Sequence, residues 1–98
     1  MTESVTIIAT QHAKPEKRDD LEQQIRLLVD AAREEDGCLD YRVLVSGEQP
    51  NQFHFVERWA SQHALDAHFH SATFQAFWNA RVEYLEREVD IVVASDFI

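Results

Sequence analysis

The 98-residue sequence predicts a single α+β domain, residues 1–98, with the ferredoxin-like split β-α-β arrangement. Four segments alternate between polar and apolar residues as strands do, and two regions have the apolar spacing of helices. These segments follow one another in the order β-α-β-β-α-β, with the second helical region split in two. Helices in this arrangement cover one sheet face, so the other face is left for water or a partner.

The first half of the chain predicts a strand followed by a helix. Residues 4–13 alternate and place four side chains on one strand face: Val5, Ile7, Ala9 and Gln11. Pro15 suits the start of a helix. From about residue 16 to 35, apolar residues recur at helical spacing, namely Leu21, Ile25, Leu28, Val29 and Ala32. Gly37 is predicted to end this helix in a left-handed conformation.

A hairpin is predicted next. Residues 39–46 form its first strand, with Tyr41, Val43 and Val45 on one side, and residues 47–51 form the turn. The returning strand, residues 53–59, places four side chains on one face: Phe53, Phe55, Glu57 and Trp59.

The last part of the chain predicts two helices and a fourth strand. Ser61 can cap a short helix that presents His68 among apolar side chains. After a break near residues 71–73, a further helix has an apolar face of five residues: Phe74, Phe77, Trp78, Val82 and Leu85. Residues 88–95 form the last strand. Ile8, Leu44 and Val56 are then expected on the uncovered sheet face, which favours a homodimer with the two sheets facing each other, of the dimeric α/β-barrel type.

Composition excludes several classes of partner. Eighteen acidic against nine basic residues give a formal charge of −9, which argues against nucleic acid and anionic membrane surfaces as partners. No apolar run is long enough to span a bilayer, and no secretory signal is visible. The single cysteine, Cys38, cannot form an internal disulfide, so we expect a cytoplasmic protein.

The sequence also lacks the patterns of common cofactor and metal sites. Its five histidines and one cysteine do not have metal-ligand spacing, and its two glycines, Gly37 and Gly47, sit at separate turns rather than in a phosphate loop. We therefore expect no metal and no cofactor. Cys38 lies next to a helix end and could be reactive there, but an unreactive small residue is the simpler interpretation.

Glu57 and His68 are the candidates for chemistry. A carboxylate among aromatic residues on an apolar strand face is unusual, because an unpaired buried charge is costly. Each candidate has a structural alternative. Glu57 can pair with Arg81 or another cation, His68 can bond to a backbone carbonyl, and Trp59 can be ordinary core.

Three stretches of the chain resemble the antibiotic biosynthesis monooxygenase superfamily. They are Glu-Asp-Gly-Cys-Leu-Asp-Tyr at 35–41, Phe-His-Phe-Val-Glu-Arg-Trp at 53–59 and Ala-Leu-Asp-Ala-His at 64–68. The resemblance implies a homodimer with a pocket between sheet and helices in each subunit. Its members include quinol and anthrone monooxygenases that use O₂ without metal or flavin, haem-degrading enzymes, and isomerases of the phosphorylated autoinducer-2 signal.

The resemblance also matches individual residues of this chain to functional positions of the family. Glu57 and Trp59 match the Glu-x-Trp signature, and His68 matches the helical histidine. Gln11 falls near the asparagine of haem-degrading members, and Trp78 falls where those members carry the haem-ligating histidine, which disfavours that activity because tryptophan cannot ligate iron. Many quinol-type members carry a second histidine in a Thr/Ser-Pro-His-Phe run, but residues 71–74 here are Ser-Ala-Thr-Phe, with His70 nearby.

The leading hypothesis is a cofactor-independent monooxygenase that oxidises a small electron-rich aromatic molecule, a quinol, anthrone or phenol, with O₂. In it, His68 is the base or proton relay, and Glu57 orients it or takes the proton itself. The substrate-binding residues are predicted as ring-stacking and hydrogen-bonding side chains: Trp59, Phe55, Phe74 and Trp78, with Gln11 and Arg81. Two alternatives are a non-catalytic dimeric binding module and an isomerase or decarboxylase of a small oxygenated metabolite.

Overall fold

A computed structural model describes residues 3–98 of the chain. It contains a four-stranded antiparallel sheet and three α-helices. The elements are β1 (Val5–His12), α1 (Arg18–Arg33), β2 (Cys38–Val45), β3 (Gln52–Trp59), α2 (Gln62–Phe69), α3 (Ala72–Tyr84) and β4 (Asp90–Ala94). This order, with the second helical region split in two, confirms the predicted ferredoxin-like fold.

The strand order β2-β3-β1-β4 brings the two central strands together beneath the helices. In the β1–β3 pairing, Ile7 lies opposite Glu57, Ala9 opposite Phe55 and Gln11 opposite Phe53. All six side chains are buried, whereas the residues between them on the strands are not. The predicted inward faces of β1 and β3 are therefore confirmed, and they form the floor of the candidate site.

The helix ends follow the predicted signals closely. A 3₁₀ turn, Pro15–Lys17, precedes α1, so the α-helix itself begins slightly later than predicted. The Ser61 hydroxyl accepts a hydrogen bond from the Ala64 amide and caps α2, and Ser71 caps α3 in the same way through the Phe74 amide. Gly37 has a φ of 85°, which confirms its predicted left-handed conformation. The helix itself ends earlier, at Arg33 with Glu34 as its C-cap, so Gly37 shapes the turn into β2 rather than capping α1.

The apolar face predicted for α3 is wrong at Val82, whose side chain is 64% exposed. Phe77 is the buried residue of this helix, and Val82 lies five residues further on, about 140° around the helix axis from it. Val45 is exposed as well, because β2 is an edge strand and this residue lies at its end. Of the other predicted inward residues of β2, Tyr41 is buried and Val43 is half-buried.

The opposite sheet face carries exposed aliphatic side chains. Ile8 lies between Val56 and Val92 in the strand pairing, and Leu44 lies on the same face of the neighbouring strand. Ile8 and Leu44 are exposed, as predicted for the face that the helices leave uncovered, whereas Val56 is half-buried. Val92 of β4 is exposed on the same face. Within residues 3–98, no helix combines the length and the apolar character needed to cross a membrane.

Candidate active site

Glu57 is held inside the protein by a hydrogen bond from its neighbour on the same strand face. The indole Nε1 of Trp59 donates to Oε1 of Glu57 over 3.0 Å, and both residues are buried. Burial raises the pKa of the Glu57 carboxyl to about 7; the Trp59 hydrogen bond opposes this rise and the nearby negative charge of Glu35 adds to it. Glu57 is therefore a carboxyl group that can gain and lose a proton near neutral pH.

His68 completes the arrangement from α2. Its ring stacks on the Trp59 indole, with centroids 4.4 Å apart and planes at 28°. Its Nδ1 lies 2.8 Å from Oε2 of Glu35, and its Nε2 lies 3.9 Å from Oε1 of Glu57. We call Glu35, Glu57, Trp59 and His68 the proton cluster. The imidazole stands between two carboxyl groups rather than against a backbone carbonyl.

Tyr41 closes one side of the proton cluster. Its ring makes edge contacts with Phe55, Trp59 and His68 at centroid distances of 6.1, 6.4 and 5.9 Å. Burial raises the pKa of its phenol far above the usual range, and the carboxylate of Glu57 adds to the effect. Tyr41 therefore stays protonated and contributes an aromatic wall.

A small cavity adjoins Glu57 between the sheet and the helices. Its volume is about 30 Å³, which is room for one or two water molecules. Five predicted site residues line it: Gln11, Phe55, Glu57, Phe74 and Trp78. Trp59 and His68 lie behind Glu57 and are not part of the lining. A ring-sized ligand fits only if side chains of the wall move, and Phe74 and Trp78 are half-buried at its edge.

Gln11 brings an unsatisfied polar atom to this cavity. The residue is buried, and its Oε1 has no hydrogen-bond partner in the structure. A buried acceptor without a partner costs roughly 1–3 kcal/mol, so the cavity favours a ligand or water that brings a donor. Gln11, which was predicted to bind substrate, thus offers a free hydrogen-bond acceptor in the cavity.

Arg81 lies apart from the cavity. Its guanidinium stacks over the Trp78 ring at 4.0 Å, donates to the Trp78 carbonyl over 2.8 Å, and forms an ion pair with Glu88 at 3.1 Å. The alternative in which Arg81 pairs with Glu57 is therefore not what the structure shows. Arg81 instead holds Trp78 in place at the cavity edge.

His70 and Cys38, two further residues that the sequence suggested for chemistry, are not members of the proton cluster. His70 is exposed, and its Nδ1 lies 2.7 Å from the Asp66 carbonyl oxygen, so it does not replace the missing second histidine at the cavity. Burial and the neighbouring carboxylates raise the pKa of the Cys38 thiol, which agrees with an unreactive small residue. Across residues 3–98, no three histidine, cysteine or acidic side chains are grouped so as to hold a metal ion.

Sequence reasoning missed the role of Glu35. It ends the helical region in the sequence, yet its side chain reaches His68, 33 positions away. The family motif at residues 35–41 could have pointed to Glu35, because it begins at Glu35 and ends at Tyr41. Both of these residues contact His68. Gly37 lies between them and lets α2 come close, because a Cβ at this position would lie 2.6 Å from Cβ of Ala64.

The sequence around the proton cluster is similar to that of a known family. A sequence model of the antibiotic biosynthesis monooxygenase family matches residues 4–80. The chain belongs to this family. The match runs from β1 into α3 and so includes all four residues of the proton cluster.

Individual proteins are also similar to this chain in sequence or in structure. The Bacillus subtilis protein YcnE, named as a proposed monooxygenase, is 32% identical over 81% of this chain and 83% of its own length. An uncharacterized Synechocystis protein is 28% identical over 82% of this chain but only 54% of its own length, so this chain spans about half of that relative. The crystal structure of PA3566 from Pseudomonas aeruginosa is 30% identical and superposes with a TM-score of 0.92, covering 100% of this chain and 98% of the other.

Proposed function

We propose that the protein is a monooxygenase that oxidises a small electron-rich aromatic molecule, a quinol, anthrone or phenol, with O₂ and without metal or flavin. One observation carries the proposal. A buried carboxyl with a pKa of about 7, Glu57, lies at the wall of an aromatic cavity with His68 beside it. A base is most effective when its pKa is close to the working pH, and Glu57 meets that condition.

The proposed reaction begins with proton transfer to Glu57. An anthrone or quinol that loses a proton becomes an electron-rich anion, which can give one electron to O₂. The resulting organic radical and superoxide combine to form a carbon–oxygen bond, and the peroxide anion takes up a proton. Loss of water then breaks the O–O bond and leaves a new carbonyl group, so an anthrone CH₂ plus O₂ gives C=O plus H₂O.

The cavity supplies binding and orientation in this scheme. Phe55, Phe74 and Trp78 offer ring faces, and the free acceptor of Gln11 takes a hydrogen bond from a substrate hydroxyl. Trp59 has a different role from the predicted one, because it lies behind Glu57 and holds that carboxyl through its N–H group. Admission of a ring requires Phe74 and Trp78 to swing outward from the present cavity of about 30 Å³.

The working form that we propose is a cytoplasmic homodimer built on the uncovered sheet face. Ile8, Leu44 and Val92 supply exposed apolar surface there, and none of the helices within residues 3–98 covers them. Sedimentation of Ile8→Glu beside Val82→Glu tests this association. Both add a charge at an exposed aliphatic residue, and only the first lies on the sheet face. Equal dimerisation by both variants would contradict the proposed interface.

Oxygen consumption tests the proposed activity. Metal-free protein is mixed with a panel of naphthoquinols, anthrones and hydroquinones, and autoxidation without protein is subtracted. We expect uptake above background that Glu57→Gln and His68→Ala both lose. Conversion of a panel compound that continues without O₂ would favour the isomerase or decarboxylase alternative. Tight binding without any product in air would favour a binding module.

A further inference from the structure

Glu35 connects the buried part of the proton cluster to the protein surface. Its side chain is 23% exposed, against 3% for His68 and 7% for Glu57. Its backbone is fixed by two hydrogen bonds, one from its own amide to the Ala32 carbonyl at 3.0 Å and one from the Cys38 amide to its carbonyl at 3.2 Å. The carboxyl group of Glu35 is thus held at a defined position where both His68 and solvent can reach it.

We propose that Glu35 is a positioning residue that completes a proton path, in which a proton passes from Glu57 through His68 to Glu35 and then to water. The inference rests on the proposed function for the source of the proton, the bound substrate. The arrangement of Glu35, His68 and Glu57 is independent of that source and can be tested without any substrate.

In the proposed path, a carboxylate at Glu35 fixes the form of the imidazole. A carboxylate only accepts hydrogen bonds, so Nδ1 of His68 carries the proton in the 2.8 Å contact. Nε2 then presents a lone pair toward Oε1 of Glu57, 3.9 Å away. Transfer of a proton between these two atoms needs them to approach by about 1 Å, because hydrogen bonds to oxygen are close to 2.9 Å.

The path works once in each direction during the proposed reaction. In the outward step, Glu57 passes the substrate proton to Nε2 of His68, and Nδ1 releases its proton to Glu35. In the inward step, the same atoms return one proton for the peroxide anion. The imidazole is then back in its first tautomer, and no net proton is consumed, which agrees with the balance of a reaction that yields one water.

Other titratable and charged groups lie around the path. Tyr41 contacts the His68 ring edge, and its phenol stays protonated. Cys38 lies close enough to feel the charges of Glu35 and Glu57, which help to keep its thiol protonated. Arg33 donates two hydrogen bonds to the Tyr41 carbonyl, at 2.8 and 3.1 Å, rather than to Glu35. Glu35 and Glu57 are therefore the groups that exchange protons with His68.

Nitrogen NMR of histidine-labelled protein tests the path directly. We expect His68 in the unmodified protein at neutral pH to show a protonated Nδ1 and an unprotonated Nε2. Glu35→Gln keeps an acceptor for Nδ1–H but cannot take up the proton, so it should keep this tautomer. Glu35→Ala should lose the tautomer preference. Glu34→Gln removes the same charge at the adjacent, exposed residue and should leave the spectrum unchanged.

Kinetics then separate positioning from proton transfer. Glu35→Gln should lower turnover up to about 100-fold, the lower end of what a positioned proton-transfer group contributes. Formate should restore part of the turnover of Glu35→Ala, because the vacated site is partly exposed, but not that of Glu35→Gln, whose amide still fills it. Glu34→Gln should retain full turnover.

Failure of the path and failure of the proposed function give different results. A proton on Nε2 of His68 in the unmodified protein would overturn the path, and so would full turnover in Glu35→Gln. The expected tautomers in a protein without oxygenase activity would support the arrangement of the path while contradicting the proposed function.

Discussion

The imidazole of His68 lies on the indole of Trp59, with ring centroids 4.4 Å apart. This stack joins α2 to β3, and it places the Trp59 N–H on Glu57 while the ring supports His68. One tryptophan thus fixes the positions of both candidate proton-transfer groups. Its two contributions, the ring face and the N–H donor, can be separated by substitution.

Trp59→Phe should raise the pKa of Glu57 above about 7. The substitution keeps an aromatic ring beside His68 but removes the hydrogen bond that stabilises the ionised carboxyl. A carbon-13 NMR titration of the glutamate carboxyl groups measures the change. Trp78→Phe is the matched control, since Trp78 lines the cavity, whereas the indole that donates to Glu57 is that of Trp59. An unchanged Glu57 titration in Trp59→Phe would show that the indole N–H does not tune the carboxyl.

Glu57 should make the stability of the fold depend on pH. Its folded-state pKa of about 7 lies above its ordinary value of 4.5, so the folded state binds the proton more tightly than the unfolded state. The contribution is fully present below about pH 4.5 and is lost as the pH rises through about 7. Between these limits it amounts to about 3 kcal/mol.

Urea unfolding across this pH range measures the effect. The free energy of unfolding of the unmodified protein, relative to that of Glu57→Gln, should fall by up to about 3 kcal/mol as the pH rises from about 4.5 to above 7. Glu83→Gln, at an exposed position of α3, should show no such trend. Parallel pH profiles for the unmodified protein and Glu57→Gln would contradict the raised pKa.

Gly37→Ala should destabilise the fold by about 2–4 kcal/mol. Alanine at a φ of 85° is strained, and its Cβ would lie 2.6 Å from Cβ of Ala64. Gly47→Ala is the control, because a Cβ at that turn meets no atom within 4 Å. Thermal or urea unfolding of the two variants gives the comparison. If both lose equal stability, close packing between the Gly37 turn and α2 is not the reason for the glycine.

Gln11→Leu should change stability and substrate use in opposite directions. Leucine removes the unsatisfied Oε1 from the buried cavity, which should stabilise the empty protein by roughly 1–3 kcal/mol. It also removes the acceptor proposed for the substrate hydroxyl, so KM should rise about tenfold, a loss of roughly 1.4 kcal/mol of binding. Gln23→Leu, on the exposed side of α1, should change neither. An unchanged KM would remove Gln11 from the binding site.

The fold could be predicted from the sequence because its signals are local. Alternation identified the inward faces of β1 and β3, Ser61 marked the start of α2, and Gly37 marked the turn between α1 and β2. The errors occurred where burial depends on a distant element. Val82 is apolar like its neighbours, but the sequence does not show which side of α3 meets the rest of the protein.

The candidate site was predictable only in part for the same reason. Glu57 and Trp59 are two residues apart on one strand, so their shared face follows from alternation. The contact between Glu35 and His68 spans 33 positions and depends on how α2 packs beside the turn at Gly37. Arg81 was expected at the substrate, but its partner Glu88 lies beyond α3, and periodicity within the helix could not reveal that pair.

Isotope labelling tests the central claim most directly. Metal-free protein is incubated under ¹⁸O₂ with the panel compound that supports the fastest oxygen uptake, and the product is examined by mass spectrometry. The proposed mechanism predicts one ¹⁸O atom in each product molecule, with formation dependent on Glu57 and His68. Product that contains only oxygen from water, or that forms equally well without O₂, would contradict the assignment as an oxygenase.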